Sequence, residues 1–288
     1  MPKNRAKQPK SKSPPRISFA GLPPLESLLD SLGGPDGGGK RDPLDAAQEL
    51  IFDAWDSADR RKRVALAKEA LALSPLCADA YALLAQESAK SLDERLDFYR
   101  QAAAAGEKAL GKACFRDDVG HFWGLVETRP YMRARQGLAE ALWEKGEKDE
   151  AVAHYQDMLR LNPNDNQGIR YLLIDWLLEL GRDAEAAELI KRYKGDGAAS
   201  WSWSRALLAF RQNGDSRDAR AALARAVSDN EYIAPLLLGE TKMPRRLPDY
   251  YGLGDKDEAV LYVQHAAGAW SAVAGALAWL RTCRQQAA

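Results

Sequence analysis

The chain of 288 residues carries 41 basic and 41 acidic side chains, so its formal net charge at pH 7 is zero. A body without excess charge gains no overall attraction to nucleic acid or to an acidic membrane, which argues against a protein built around either surface. Hydrophobic residues make up 46% of the sequence. Ala and Leu are common and β-branched residues are few, and this favours an all-α protein with a sizeable core.

The cysteines and the hydropathy pattern bear on the compartment. The three cysteines stand far apart, at positions 77, 114 and 283, which is neither a disulfide framework nor a zinc-binding spacing and fits a reducing compartment. No apolar run approaches the roughly 20 residues of a membrane span. The N-terminus lacks the apolar stretch of a signal peptide. We therefore expect a cytoplasmic protein without a membrane span.

Residues 1–43 differ in composition from the rest of the chain. The stretch 3–16 holds six basic residues and no acid, among several prolines, and residues 33–39 are rich in glycine. Such a segment buries too little apolar surface to offset its ordering entropy, so we predict a disordered basic tail, in which residues 22–32 can form a short amphipathic helix. The basic run is either a solubilising tail or a weak contact with nucleic acid. We favour the former, because no aromatic residue is interleaved for base stacking.

The first helical signals form irregular repeats over residues 44–131. The stretch 66–75 (LAKEALALSP) matches the second helix of a helix pair. Tyr81, Leu84 and Ala85 indicate the first helix of the next pair, and the residues around Tyr99 indicate its second helix, because apolar side chains recur at helical spacing. These units precede a clearer set of repeats.

The segment 121–131 is unusually rich in aromatic and charged residues, and it leaves two interpretations open. His121, Trp123, Glu127 and Arg129 face a binding groove, or the aromatic side chains fill a junction between irregular and regular repeats while Arg129 pairs with a carboxylate. We favour the junction, because large aromatic side chains are most often part of a core.

Regular repeats occupy residues 132–230. Turn glycines stand 35 and 33 residues apart, an alanine follows each by five residues, and larger apolar residues stand four before the glycine and four after the alanine. The glycines are Gly146, Gly181 and Gly214; the alanines are Ala151, Ala186 and Ala219. This pattern resembles the tetratricopeptide repeat (TPR), a helix–turn–helix unit of about 34 residues. The resemblance implies an α-solenoid. A helical bundle without repeats is the alternative, but three units share four landmarks.

The C-terminal region shows one more landmark. Gly254 again stands five residues before an alanine, and Trp270, Val273, Leu277 and Leu280 are spaced as one apolar stripe of a helix. We expect terminal capping helices over residues 231–283 that cover the last repeat.

A more specific resemblance covers roughly residues 44–283. The stretches 129–131 (RPY) and 162–168 (NPNDNQG), together with the ending from His265 to Leu277, look like the soluble repeat region of the suppression-of-tumorigenicity-seven family. The resemblance implies the repeat fold and adds little chemistry, since no enzymatic activity is established for that family. Its animal members carry membrane segments, which have no counterpart here.

No motif points to catalysis, a cofactor or a metal. The three histidines, His121, His154 and His265, fall in different units and outside any metal-ligand motif. Neither a nucleophile elbow nor a dinucleotide fingerprint occurs. We therefore expect no enzyme, although a hydrolase or transferase site assembled by the superhelix is the remaining alternative.

The sequence thus predicts a non-catalytic scaffold or adaptor that binds a peptide or protein segment on the concave face of the repeats. In the TPR class the first helix of each unit lines that face, and the resemblance places nine residues there. They are Arg133, Gln136, Glu140, Trp143, Tyr171, Asp175, Trp201, Ser204 and Arg211. The Lys/Asn pattern that clamps a C-terminal carboxylate in some TPR proteins is absent. Nucleic-acid association through the basic tail is the alternative function.

Overall fold

The computed structural model describes residues 42–287, and over this range the chain is all-α, with thirteen helices, a 3-10 turn (Val126–Thr128) and no strand. The helices are α1 (Pro43–Asp56), α2 (Arg60–Leu73), α3 (Ala78–Glu87), α4 (Leu92–Asp117), α5 (Arg129–Lys145), α6 (Lys148–Leu161), α7 (Ile169–Leu180), α8 (Asp183–Arg192), α9 (Ala199–Asn213), α10 (Arg217–Asp229), α11 (Ile233–Leu237), α12 (Lys256–Ala272) and α13 (Ala276–Ala287). The predictions of a disordered tail, a helix at 22–32 and a nucleic-acid contact fall on residues outside the described range.

Helices α1 to α10 form five consecutive hairpins, α1/α2 through α9/α10. Each helix packs against the next, and first helices also touch across repeats, as α1 with α3, α3 with α5, and α7 with α9. We call the surface formed by α1, α3, α5, α7 and α9 the first-helix face. This arrangement confirms the predicted stack of TPR-type helix pairs in an α-solenoid.

The turn glycines end the first helices as the spacing predicts. At Gly146 the backbone is left-handed (φ 94°), its N–H reaches the carbonyl of Trp143, and the N–H of Glu147 donates to the carbonyl of Leu142. These bonds satisfy carbonyls that the helix end leaves free. The landmark alanines are fully buried, which confirms that they lie where two helices approach closely.

The segment between α4 and α5 is mainly a structural junction. The backbone N–H groups of Gly120 and Phe122 donate to the carbonyl of Leu161, and the Phe122 ring is fully buried against Tyr131. The expected pairing of Arg129 with a carboxylate is wrong. Its Nε donates to the Trp123 carbonyl at 3.1 Å and its guanidinium lies over the Trp123 ring, because the backbone turn brings that peptide within reach.

The C-terminal stripe predicted from sequence does not lie on one helix. Helix α12 ends at Ala272, Gly275 has a positive φ of 80°, and α13 begins at Ala276. Trp270 and Leu280 therefore lie on different helices, and both are buried. The stripe prediction was wrong because Gly275 interrupts the periodicity. Over the described residues, no helix has both the length and the hydropathy that a membrane crossing needs.

Candidate partner-binding surfaces

The nine residues expected to bind a partner differ sharply in exposure. Glu140 is exposed, and five are half-buried: Arg133, Gln136, Trp143, Tyr171 and Arg211. The other three, Asp175, Trp201 and Ser204, are buried, at 4%, 1% and 0% exposure. These three buried side chains pack inside the repeat domain and present little surface to a partner. Their role in binding stays a prediction.

Helix α12 accounts for much of this burial, since it packs along α7 and α9 on the first-helix face. At its start, Glu258 Oε1 accepts the N–H of Ala199 at 2.8 Å, which caps α9. Further along, a Cβ added to Gly268 would stand 2.5 Å from Glu179 Oε2. This part of the face is therefore covered by the chain itself.

The sequence contained a signal for that cover. Residues 169–180 (IRYLLIDWLLEL) are apolar nearly all round the helix, and a helix of that kind is buried on all sides. The first helix of a TPR unit that leaves one face exposed to solvent does not require apolar residues on every side. The apolar pattern of α7 therefore indicates that a further element packs on the side of this helix that faces the concave surface.

On α5, Gln136 and Trp143 contact the next repeat, whereas Glu140 bonds to α6 of its own repeat. Gln136 accepts from Gln167 Nε2 at 2.9 Å, and Glu140 accepts from the Tyr155 hydroxyl at 3.1 Å. The Trp143 ring is stacked on Trp176 with centroids 4.4 Å apart. These contacts hold the first two regular repeats in register.

Arg211 ties the ends of two first helices together. Its Nη1 donates to the Leu178 carbonyl at 2.8 Å and its Nε lies 2.9 Å from Asp183. The Leu178 carbonyl at the end of α7 accepts this bond in addition to one from the Gly181 N–H, so the Arg211 side chain already has structural partners.

The first three repeats, in contrast, leave an open cavity of about 440 Å³, which we call the N-terminal groove. It lies between α1, the start of α3, the 3-10 turn and the start of α5. The residues that line it include Leu44, Gln48, Phe52, Val126, Arg129 and Arg133.

A buried carboxylate fixes Arg133 in this groove. Asp79 is 1% exposed, and its Oδ1 accepts from Arg133 Nε at 2.8 Å while Oδ2 accepts from Gln48 Nε2 at 2.9 Å. The guanidinium lies 5.1 Å from the centroid of the Trp55 ring. Because the hydrogen bond to Asp79 and the contact with the Trp55 ring are made without a ligand, the guanidinium is already oriented.

Exposed apolar side chains lie at and beside this groove. Phe52, Trp55 and Val126 are 49%, 43% and 59% exposed, and the rings of Phe52 and Trp55 are 5.7 Å apart. Aromatic residues and Arg are the types that dominate binding energy at interfaces. Sequence reasoning missed Phe52, Trp55 and Asp79. The signals were an aromatic pair three residues apart on one helix, and an acid inside the small apolar run of α3.

Titratable groups are scattered through the repeats. Burial and the neighbouring Arg135 lower the pKa of His154 to about 4, and burial raises the pKa of Cys77 to about 11. His121 and His265 lie far from His154 in sequence, at the start of the α4–α5 junction and on α12. Between residues 42 and 287, the side chains form no group of three or more His, Cys, Asp or Glu suited to a metal ion.

Comparisons with known proteins place these features in a family. The family model described as "ST7 protein" matches residues 39–287. A "Protein ST7 homolog" from Caenorhabditis elegans is 27% identical and the match covers 81% of this chain and 49% of that protein. A "Suppressor of tumorigenicity 7 protein-like" from Gallus gallus is 26% identical, over 82% of this chain and 46% of that protein.

Among solved structures, YrrB is described as a TPR protein with an unusual peptide-binding site. It is 16% identical to this chain, with a TM-score of 0.45 over 70% of this chain and 90% of YrrB. The chain spans about half the length of the curated relatives it matches. Since the family model covers most of the sequence, the chain belongs to the ST7 protein family.

Proposed function

We propose that the chain is a non-catalytic interaction scaffold or adaptor that binds a peptide or protein segment of a partner in the N-terminal groove. One observation carries the proposal. Phe52 and Trp55 are exposed at and beside an open cavity, next to an Arg133 that Asp79 holds in place. A scaffold of this kind binds by burying such anchors together with apolar side chains of the partner.

The expected ligand is a segment that presents apolar side chains, with a carbonyl or carboxylate beside Arg133. The apolar part follows from Phe52 and Val126, whose exposed surface is costly to leave in water. The polar part follows from Arg133, whose guanidinium has five N–H donors and keeps 33% of its surface exposed after pairing with Asp79. An oriented donor costs less to bind than a mobile one.

This proposal moves the binding site toward the N-terminus of the repeats. Among residues 42–287, α12 covers the first-helix face of α7 and α9, whereas a cavity remains on that of α1, α3 and α5. The cytoplasmic location expected from the sequence stays a prediction, as does the absence of catalysis.

The proposal is tested by capture from native lysate at moderate salt. Three baits are compared with the full-length chain: a chain that begins at Asp42, the Phe52→Glu variant and the matched Tyr250→Glu variant. Tyr250 is an aromatic residue that is 87% exposed and does not line the groove. A partner retained by the full-length chain, the shorter chain and Tyr250→Glu, but lost with Phe52→Glu, supports the groove. A partner retained equally by all baits contradicts it, and nucleic acid held only by the full-length chain at low salt would assign binding to the tail.

A further inference from the structure

A second cavity, of about 210 Å³, lies between α7 and α12, and we call it the α7–α12 pocket. Three tyrosines line it: Tyr171 from α7, Tyr262 from α12, and Tyr251 from the irregular segment before α12. Leu172 and Leu261 add apolar walls. The volume suits one extended side chain.

The buried carboxyl group of Asp175 lines this pocket. Asp175 is 4% exposed, and its Oδ1 meets no hydrogen-bond partner among residues 42–287. Ser204 lies beside it on α9, and its hydroxyl is close enough to favour the ionised form of the carboxyl group. Burial raises the pKa of Asp175 well above its ordinary value, which the nearby Ser204 only partly offsets. A buried carboxylate with one unpaired oxygen is costly to keep charged.

The cations nearest to Asp175 are already paired: Lys148 bonds to Glu179, and Arg170, which lies over the Tyr171 ring, bonds to Asp165 and Asp196. On its own helix Glu179 raises the Asp175 pKa further. From α12, Glu258 lines the pocket while accepting backbone N–H groups, and His265 lines it as an exposed side chain. Among the described residues that line the pocket, none is Lys or Arg. The ionised form of Asp175 therefore has no counter-ion among the residues that line the pocket.

We propose that the α7–α12 pocket binds the ammonium group of a lysine side chain from a partner segment, with Asp175 as its counter-ion. Tyrosine rings attract a cation through their faces, and an aliphatic stem packs well against leucine. The lysine ammonium supplies the charge and the hydrogen-bond donors that Asp175 lacks. Burial raises the pKa of Asp175, and lysine favours the ionised carboxyl, so lysine binding is expected to promote loss of the proton from Asp175. The site is separate from the N-terminal groove, so its test needs no partner of that groove.

The test titrates the ¹⁵N-labelled full-length chain with Nα-acetyl-lysine methylamide and, separately, with the neutral norleucine analogue. The reporter is the indole N–H of Trp270, which donates to the Tyr262 hydroxyl at 2.9 Å at the edge of the pocket. The lysine compound is expected to shift this signal in a saturable way, with at least tenfold higher affinity than the norleucine compound. Equal affinities for the two compounds, or no shift with lysine, would overturn the proposal.

Two further arms identify Asp175 as the counter-ion. Asp175→Asn keeps the shape of the side chain and is expected to weaken lysine binding at least tenfold, whereas the exposed Asp218→Asn is expected to leave it unchanged. In the wild-type chain, lysine affinity should rise with pH for as long as lysine stays charged, because the raised pKa of Asp175 favours its protonated form at lower pH. This rise must persist in His265→Gln, which removes the histidine that lines the pocket, and in Glu258→Gln, which removes its second carboxyl group. A flat profile in either variant, or unchanged binding in Asp175→Asn, contradicts the assignment.

Discussion

Gly137 on α5 lies directly against the ring of Tyr99 on α4. A Cβ at position 137 would stand 2.2 Å from Tyr99 Cε1 and 2.3 Å from Cζ, and Tyr99 is itself only 6% exposed. The buried ring has no open space to move into, so the two helices approach as they do only because residue 137 has no side chain.

Gly137→Ala is therefore expected to destabilise the fold by about 1–3 kcal/mol, because the added methyl group overpacks the α4–α5 contact. Chemical denaturation measures the change. Gly195→Ala is the matched control, since a Cβ there meets nothing within 4 Å. Equal midpoints for the two variants would show that the Tyr99 ring yields freely.

Asp79→Ala is expected to lower the free energy of unfolding by about 2 kcal/mol. The substitution leaves Arg133 and Gln48 without their shared acceptor, and a polar group deprived of its partner inside a protein carries a desolvation cost. The figure is kept modest because a third of Arg133 is exposed to solvent. Denaturant unfolding of this variant, compared with the exposed Asp53→Ala, checks it. No difference between the two would mean that the buried carboxylate contributes little.

Substitutions at Trp201 and Trp55 are expected to affect the stability of the fold and partner binding differently. Trp201 is 1% exposed and its ring edge contacts Tyr171, so Trp201→Ala should cost about 3–5 kcal/mol. Trp55 is 43% exposed, so Trp55→Ala should cost less than about 1 kcal/mol and yet reduce capture of a groove partner. Thermal unfolding and capture on the same samples test both. If the Trp201→Ala chain is stable but no longer captures the partner, the partner-binding site lies on α9 instead of in the N-terminal groove.

His154 should make stability fall at acidic pH. Its pKa is lowered to about 4 in the folded chain against an ordinary value of 6.5, so below pH 6.5 the unfolded state binds a proton that the folded state does not. With respect to His154, the folded state therefore has its full stability above pH 6.5. Its free energy of unfolding falls by up to about 3 kcal/mol as the pH falls toward 4. His154→Gln should remove that part of the slope in unfolding free energy. The exposed His121→Gln should retain it, and identical slopes for all three chains would contradict the assignment.

The repeat architecture was predictable because its signals are local. Gly146 and Ala151 mark a turn and a close helix contact within a few residues of each other, and both recur at a fixed period. Each repeat packs mainly on its neighbours, so the period of these landmarks in the sequence is enough to predict the stack of repeats. The all-α solenoid followed from these landmarks.

The binding surfaces were less predictable because distant segments create them. Helix α12 contacts α7 although the two lie about 90 residues apart in sequence, as the Gly268–Glu179 contact shows, and no repeat landmark predicts that packing. Likewise Arg133 was expected to face a partner freely, but Asp79 from another repeat already binds it. Contacts of this kind depend on side chains that meet only after the helices have stacked.

The central claim is that a partner segment occupies the N-terminal groove. The most direct measurement places a photo-crosslinking phenylalanine analogue at position 52 in the full-length chain, irradiates it in native lysate, and maps the joined peptides by mass spectrometry. The groove predicts one recurring partner segment, rich in apolar residues, that is not joined when the same probe replaces Tyr250. Crosslinks that match those from position 250, or that join only residues 1–41 of the chain itself, would contradict it.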